Sequence, residues 1–184
     1  MRKGCRSPVS SQSRVRASGG AEALSRKRVF RKFEEVQRVT REPVTIEDVS
    51  PREAWDRLRG DGAAVLVDVR SRAEWALVGL PDLAEIGKQV VRLEWQTYPD
   101  GWVDPGFADR LAIELEGSGA TKETAVCFLC RSGVRSRSAA RAMAEKGFAR
   151  CFNVADGFEG PLDANRQRGR LAGWKAAGLP WVQG

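Results

Sequence analysis

Ala125-Val126-Cys127-Phe128-Leu129 is an unbroken apolar run that ends on Cys130, and Arg131-Ser132-Gly133-Val134-Arg135-Ser136 follows at once. Behind that loop comes the helix-forming stretch Arg137-Ser138-Ala139-Ala140-Arg141-Ala142-Met143-Ala144. Five apolar residues bounded by polar ones read as a buried strand. A strand that stops at a cysteine, a tight loop with a glycine and two arginines, and a helix behind it together make an anion cradle around a sulfur. The thiolate is the nucleophile, and loop N–H groups, the positive end of a helix and nearby guanidinium groups all favour it.

The chain contains no histidine. Cys-His and Ser-His catalysis and histidine metal sites are therefore excluded, so Cys130 is activated by backbone dipoles and arginine or not at all. A nucleophile with cationic neighbours and no general base suits anionic substrates whose leaving group needs no proton.

Working outward, Ala63-Ala64-Val65-Leu66-Val67-Asp68-Val69 has the near-continuous hydrophobicity of a central parallel strand. Further strands are expected at Val44 to Ile46, Val90 to Leu93 and Cys151 to Val154. Ser50-Pro51-Arg52-Glu53 combines an N-cap serine, proline at the first helical position and glutamate three residues after the cap, which predicts a helix ending at Gly60. Helices are also expected near Ser71 to Leu77, Pro105 to Leu115 and Arg137 to Lys146, and a short one from Gly173 is stopped by Gly178 and Pro180. Strands alternating with helices specify an α/β domain with its working loops at the carboxyl ends of the strands.

The 184 residues suffice for one domain and a tail. The net charge of +7 suggests nucleic-acid binding until it is divided along the chain. Residues 1–41 hold 12 Lys/Arg against 3 Asp/Glu, which leaves 19 against 21 in residues 42–184. The expected organisation is a basic, disordered extension over 1–41, with a charged helix over Val29 to Val39, and a folded domain over 42–184. The extension's Arg and Ser richness also matches an organellar transit peptide. Neither nucleic acid nor membrane is an expected partner, and the absence of a secretory core or an 18-residue apolar stretch points to the cytoplasm. Cys5 falls in the extension. Cys127 and Cys130 spell Cys-x-x-Cys, but no second such pair exists, and Cys127 and Cys151 read as buried apolar residues. The basic stretch Asn165 to Arg170 reads as a solvated loop.

Several of these motifs occur together in a characteristic order. They are Leu66-Val67-Asp68-Val69-Arg70, Glu74-Trp75, Gly79, the Cys130 loop, Asn153-Val154 with Gly157, and Trp174 with Ala177-Gly178-Leu179-Pro180. The combination resembles a single-domain rhodanese sulfurtransferase over roughly residues 42 to 182. The resemblance implies a three-layer α/β domain around a five-stranded parallel sheet flanked by helices, with Cys130 as the catalytic residue at its carboxyl edge.

It further implies that Cys130 takes a sulfur from a small anionic donor such as thiosulfate and passes it, as a persulfide, to a thiol or cyanide, or to a protein acceptor. No cofactor and no metal are required. Arg131 and Arg135 would hold the donor. Ser132 and Ser136 would either hydrogen-bond the persulfide or cap the loop and helix, and Gly133 and Val134 complete the active-site loop. Asp68, Arg70 and Glu74 would brace the site, with Glu74 pairing a loop arginine.

Phosphatases and arsenate reductases share this architecture, and a rhodanese-like module can also be non-catalytic and regulatory. A phosphatase cradle needs arginine six positions after the cysteine, where this chain has Ser136; Arg135 lies only five positions on. Three features depart from the family pattern. Gly79-Leu80-Pro81-Asp82-Leu83 replaces a Gly-His-Ile-Pro-Gly-Ala segment, Asp156 stands where a glycine is common, and Tyr98-Pro99-Asp100-Gly101-Trp102 has no assigned role.

Overall fold

Ser50 opens the first helix by the reciprocal bonds its sequence predicts. Its hydroxyl accepts from the Glu53 N–H at 3.2 Å and the Glu53 carboxylate accepts from the Ser50 N–H at 2.7 Å, ahead of helix Pro51–Gly60 (α1). Ser71 and Glu74 repeat this device for Arg72–Val78 (α2). Among the described residues the other α-helices are Phe107–Gly117 (α3), Val134–Glu145 (α4) and the short Gly173–Ala176 (α5). The computed structural model describes residues 44–184, of which Val44–Gly184 is one compact unit. Cys5 and the helix expected over Val29 to Val39 lie outside the described residues.

Among the described residues seven strands accompany the helices: Glu47–Val49 (β1), Val65–Asp68 (β2), Leu80–Pro81 (β3), Val91–Arg92 (β4), Ala125–Leu129 (β5), Arg150–Val154 (β6) and Trp181–Val182 (β7). Five of them form one sheet in the order β1-β6-β5-β2-β4, every pair parallel. β5 lies at its centre with all five residues buried. Alternate side chains therefore feed two separate cores. Leu66, Cys127, Leu129 and Val154 pack with Trp55 and Leu58 of α1 and Trp174 of α5 on one face. Val67, Val126 and Phe128 pack with Phe107, Leu111 and Leu115 of α3 and Ala140 and Met143 of α4 on the other. This is the three-layer arrangement expected from the sequence.

Trp174 is fully buried, meets Trp55 edge-on with ring centroids 5.9 Å apart, and donates its indole N–H to Pro180 O at 2.8 Å. The chain's end is thereby locked beneath α1. Cys127 and Cys151 are buried free thiols, and burial pushes each up to about 12, as suits core residues.

The structure corrects two boundaries and adds one element. The first strand is Glu47–Val49, not Val44 to Ile46, because pairing to Phe152–Val154 sets its register while Ile46 drops into the core. The helix after the cysteine begins at Val134 instead of Arg137, so Val134, Arg135 and Ser136 form its first turn. A two-stranded antiparallel ribbon, β3 with β7, was not expected. Among the described residues no helix is long and apolar enough to cross a membrane.

Candidate active site

Cys130 is the first residue beyond the central strand, and its side chain is buried. The loop that follows turns back through Gly133, whose φ of +91° is a left-handed conformation open to glycine without strain. That turn brings the Gly133 N–H to Cys130 Sγ at 3.2 Å. Ser136, in the first turn of α4 and also buried, places Oγ 3.2 Å from the same sulfur.

Ser136 belongs to a longer polar chain. Its Oγ lies 2.7 Å from Asn153 Oδ1, and Asn153 Nδ2 donates to Asp48 Oδ1 at 2.8 Å. Burial raises the Asp48 carboxyl, but this amide hydrogen bond, the leading effect, together with Arg137 holds it below the ordinary range. A hydroxyl has one proton, so Ser136 donates to either the sulfur or Asn153 at a given moment. A thiol at Cys130 can itself donate to Ser136 Oγ while Ser136 donates to Asn153. With a sulfur anion, the serine proton turns toward Sγ. Asp48 and Asn153 lie directly opposite each other in the register of β1 and β6, and only the parallel pairing of those strands brings them together. The sequence singled out Asn153 but gave no signal for Asp48.

The loop is fixed from behind by the segment after β6. Phe158 N–H donates to Cys130 O at 2.7 Å and Glu159 N–H to Arg131 O at 3.0 Å. Asp156 and Gly157 make this approach with φ of 60° and 58°. A Cβ on Gly157 would lie 2.3 Å from Cys130 O and 2.7 Å from Arg131 C, so no larger residue fits. Asp156, at the position where the family favours glycine, itself adopts the left-handed conformation that glycine takes freely.

Of the two loop arginines, Arg135 is already engaged. Its Nη1 and Nη2 donate to the two carboxylate oxygens of Glu74 at 2.8 and 2.6 Å, a bidentate pair. Burial pushes the Glu74 carboxyl up, but the Arg135 guanidinium and the Ser71 N–H outweigh it and hold Glu74 down to about 2. Glu74 in turn raises Arg135 against the lowering effect of burial. Glu74 thus pairs a loop arginine as expected, and Arg135 lines the cavity with its charge already shared with that carboxylate. Arg131 is exposed, and among the described residues no carboxylate pairs with it.

Asp68 and Arg70 lie outside the cavity lining. Both are fully buried, Arg70 donates to Asp68 at 2.6 to 3.0 Å and to Gly79 O at 2.8 Å, and its guanidinium lies 4.0 Å above the Phe158 ring. The pair thus ties β2 to both α2's end and the segment that holds the loop.

Above Cys130 lies a cavity of about 610 Å³. Arg131, Ser132, Val134 and Arg135 form one side of it, Glu74, Leu77 and Val78 of α2 a second, and Gln96 to Pro99 with Gly101 a third. The third wall gives Tyr98 to Trp102 a place. Gln96 and Val103 form an isolated antiparallel bridge, Thr97 N–H donates to Trp102 O at 3.0 Å, and Gly101 N–H donates to Thr97 O at 2.9 Å. This small hairpin is rooted by Trp95, whose N–H donates to Val69 O at 3.2 Å and whose ring meets Phe107 edge-on at 5.0 Å.

Residues 46–184 match the family model described as the STR4 middle domain. The crystal structure of Rv0390 from Mycobacterium tuberculosis is 45% identical, with a TM-score of 0.66, covering 77% of this chain and all of that one. An uncharacterized protein of Rickettsia conorii is 38% identical over 75% of this chain and 98% of its own length. The rhodanese-like domain-containing protein 4 of Arabidopsis thaliana chloroplasts is 28% identical over 73% of this chain, which matches only 25% of that larger protein.

Proposed function

This chain belongs to the STR4 middle-domain family of rhodanese-like proteins, and we propose from that premise that it is a sulfurtransferase carrying a sulfane sulfur as a persulfide on Cys130. The observation that carries the proposal is the pair of donors, Gly133 N–H and Ser136 Oγ, each 3.2 Å from the Cys130 sulfur at the head of α4. Hydrogen bonds to an anionic sulfur are stronger than those to a neutral one. The same donors that hold a thiolate also suit the terminal sulfur of a persulfide.

In the first half-reaction the Cys130 thiolate attacks the outer sulfur of an anionic donor such as thiosulfate. The donor's S–S bond breaks, sulfite leaves with the electron pair, and Cys130 keeps the sulfur as a persulfide anion. In the second, a thiolate or cyanide attacks that outer sulfur, the S–S bond to Cys130 breaks, and the thiolate is restored. No external oxidant, reductant or general base is needed, which agrees with a site that has no histidine. Arg131 supplies the charge that attracts the donor, whereas Arg135, paired to Glu74, keeps α4 and α2 in register.

The arginine spacing favours this reading over phosphatase chemistry, since the sixth position after Cys130 is Ser136, turned inward onto the sulfur and Asn153. The test is turnover of thiosulfate with cyanide and with a thiol, comparing the protein with Cys130→Ser. Turnover that the serine variant lacks is expected. Absence of turnover with both acceptors would favour a non-catalytic binding module.

A further inference from the structure

The cavity above Cys130 is walled very differently from what a small inorganic donor requires. Thiosulfate needs a cation and a few N–H groups, which the loop alone supplies. The other two walls present Leu77, Val78, Tyr98 and Pro99, and these features carry none of the chemistry described so far.

Their exposure separates two kinds of occupant. Leu77 is 74% exposed, Tyr98 73% and Val134 73%. A pocket built for a small organic thiol encloses its ligand among buried apolar side chains. Here the apolar groups project outward around the mouth and would remain largely wet with a small molecule bound. Contiguous exposed apolar groups of this kind mark protein contact, and tyrosine is enriched where such contacts concentrate their energy. On the loop side the patch ends at Arg131, which is exposed and unpaired by any carboxylate among the described residues.

We propose that the second substrate is a cysteine thiol presented by another protein, in a segment with an apolar side chain that lies on Leu77, Tyr98 and Val134 and an acidic one that meets Arg131. The inference rests on the sulfurtransferase reading of Cys130 and specifies its acceptor. The partner's thiolate attacks the outer sulfur of the Cys130 persulfide; that sulfur's bond to Cys130 breaks, the Cys130 thiolate leaves, and the partner carries the persulfide away. The two walls confer specificity and take no part in bond making.

The experiment uses the full chain, loaded with one sulfur from thiosulfate and then mixed with one acceptor at a time. The acceptors are a Gly-Leu-Cys-Glu-Gly peptide, a Gly-Ser-Cys-Lys-Gly peptide, the small thiol dithiothreitol, and cyanide. Loss of the Cys130 persulfide is followed by mass spectrometry, with thiol rates expressed per thiolate. The Leu/Glu peptide should react about tenfold faster than the Ser/Lys peptide and faster than dithiothreitol. In Tyr98→Ala and in Leu77→Ser, both changes of exposed side chains, the ratio of its rate to that of cyanide should fall about tenfold. Equal rates for the two peptides, or a ratio unmoved by both substitutions, would overturn the proposal while leaving sulfur transfer intact. A small thiol that matches the favoured peptide would likewise overturn it. Failure of Cys130 to take up sulfur at all would instead overturn the sulfurtransferase reading, and this inference with it.

Discussion

Replacing Glu74 with glutamine tests the pairing that decides which arginine remains free. Glutamine keeps the side chain's length and can still accept from the Ser71 N–H, so the cap of α2 survives in outline. What is lost is the charge opposite Arg135. In the folded protein Glu74 titrates at about 2 against an ordinary 4.5, so its folded-state value is depressed. A depressed carboxyl contributes stability above its unfolded value, and that contribution is lost as pH falls through the folded value. Full conversion of this shift gives about 3 kcal/mol at neutral pH. Solvent reaches the pair, whose side chains are 19% and 20% exposed, and screening reduces the figure to about 2 kcal/mol.

Urea denaturation at pH 7 should therefore show Glu74→Gln less stable by about 2 kcal/mol, and thermal melting should show a fall of several degrees. The gap should narrow as the pH is lowered from about 5 toward 2, because the parent protein loses its advantage and the variant has none to lose. A difference below about 0.5 kcal/mol at pH 7, or a gap that stays constant down to pH 3, would refute the claim that this ion pair ties α2 to α4.

Three other substitutions have defined outcomes. Arg131→Glu should lower kcat/KM for thiosulfate by about tenfold or more while leaving the melting temperature unchanged, and raising the salt concentration should shrink the difference; equal turnover would show that Arg131 is ordinary surface charge. Gly157→Ala forces a Cβ against the Cys130 carbonyl at a φ of +58° and should cost about 3 kcal/mol or more. An alanine variant as stable as the parent would mean that the loop yields freely. Asp68→Asn leaves the Arg70 guanidinium buried without its counter-charge and should destabilise by about 3 to 5 kcal/mol in denaturant titration, whereas a near-neutral result would deny the pair its bracing role.

Much of this architecture was legible because it is written in local chemistry. The Ser50 capping box needs only four residues, and the apolar run ending at Cys130 needs only six. Trp174 with the glycine and proline beyond it marked the closing turn. What escaped depends on contacts between distant segments. β3 and β7 have two residues each, too short for any periodicity, and exist because Gly79 admits the Val182 carbonyl where a Cβ would lie 2.4 Å from it. The start of α4 was placed late because Val134, Arg135 and Ser136 look like loop; the left-handed Gly133 ahead of them lets the helix begin sooner. The same helical placement decides which loop arginine Glu74 pairs, since it points Arg135 toward Glu74, 61 positions earlier in the chain. Tyr98 to Trp102 carried no recognisable pattern, and only the anchoring of Trp95 onto β2's end brings that hairpin over the cysteine.

The central claim is that Cys130 alone carries the transferred sulfur. Cys127 and Cys151, both buried and pushed up to about 12, are poor nucleophiles at neutral pH. Mass spectrometry of peptides from the full chain, treated with thiosulfate and trapped with an alkylating reagent, tests this most directly. One added sulfur on the peptide containing Cys130, absent when cyanide is added before the alkylating reagent, is the predicted result. Sulfur found on Cys127 or Cys151, or none on Cys130, would contradict the account.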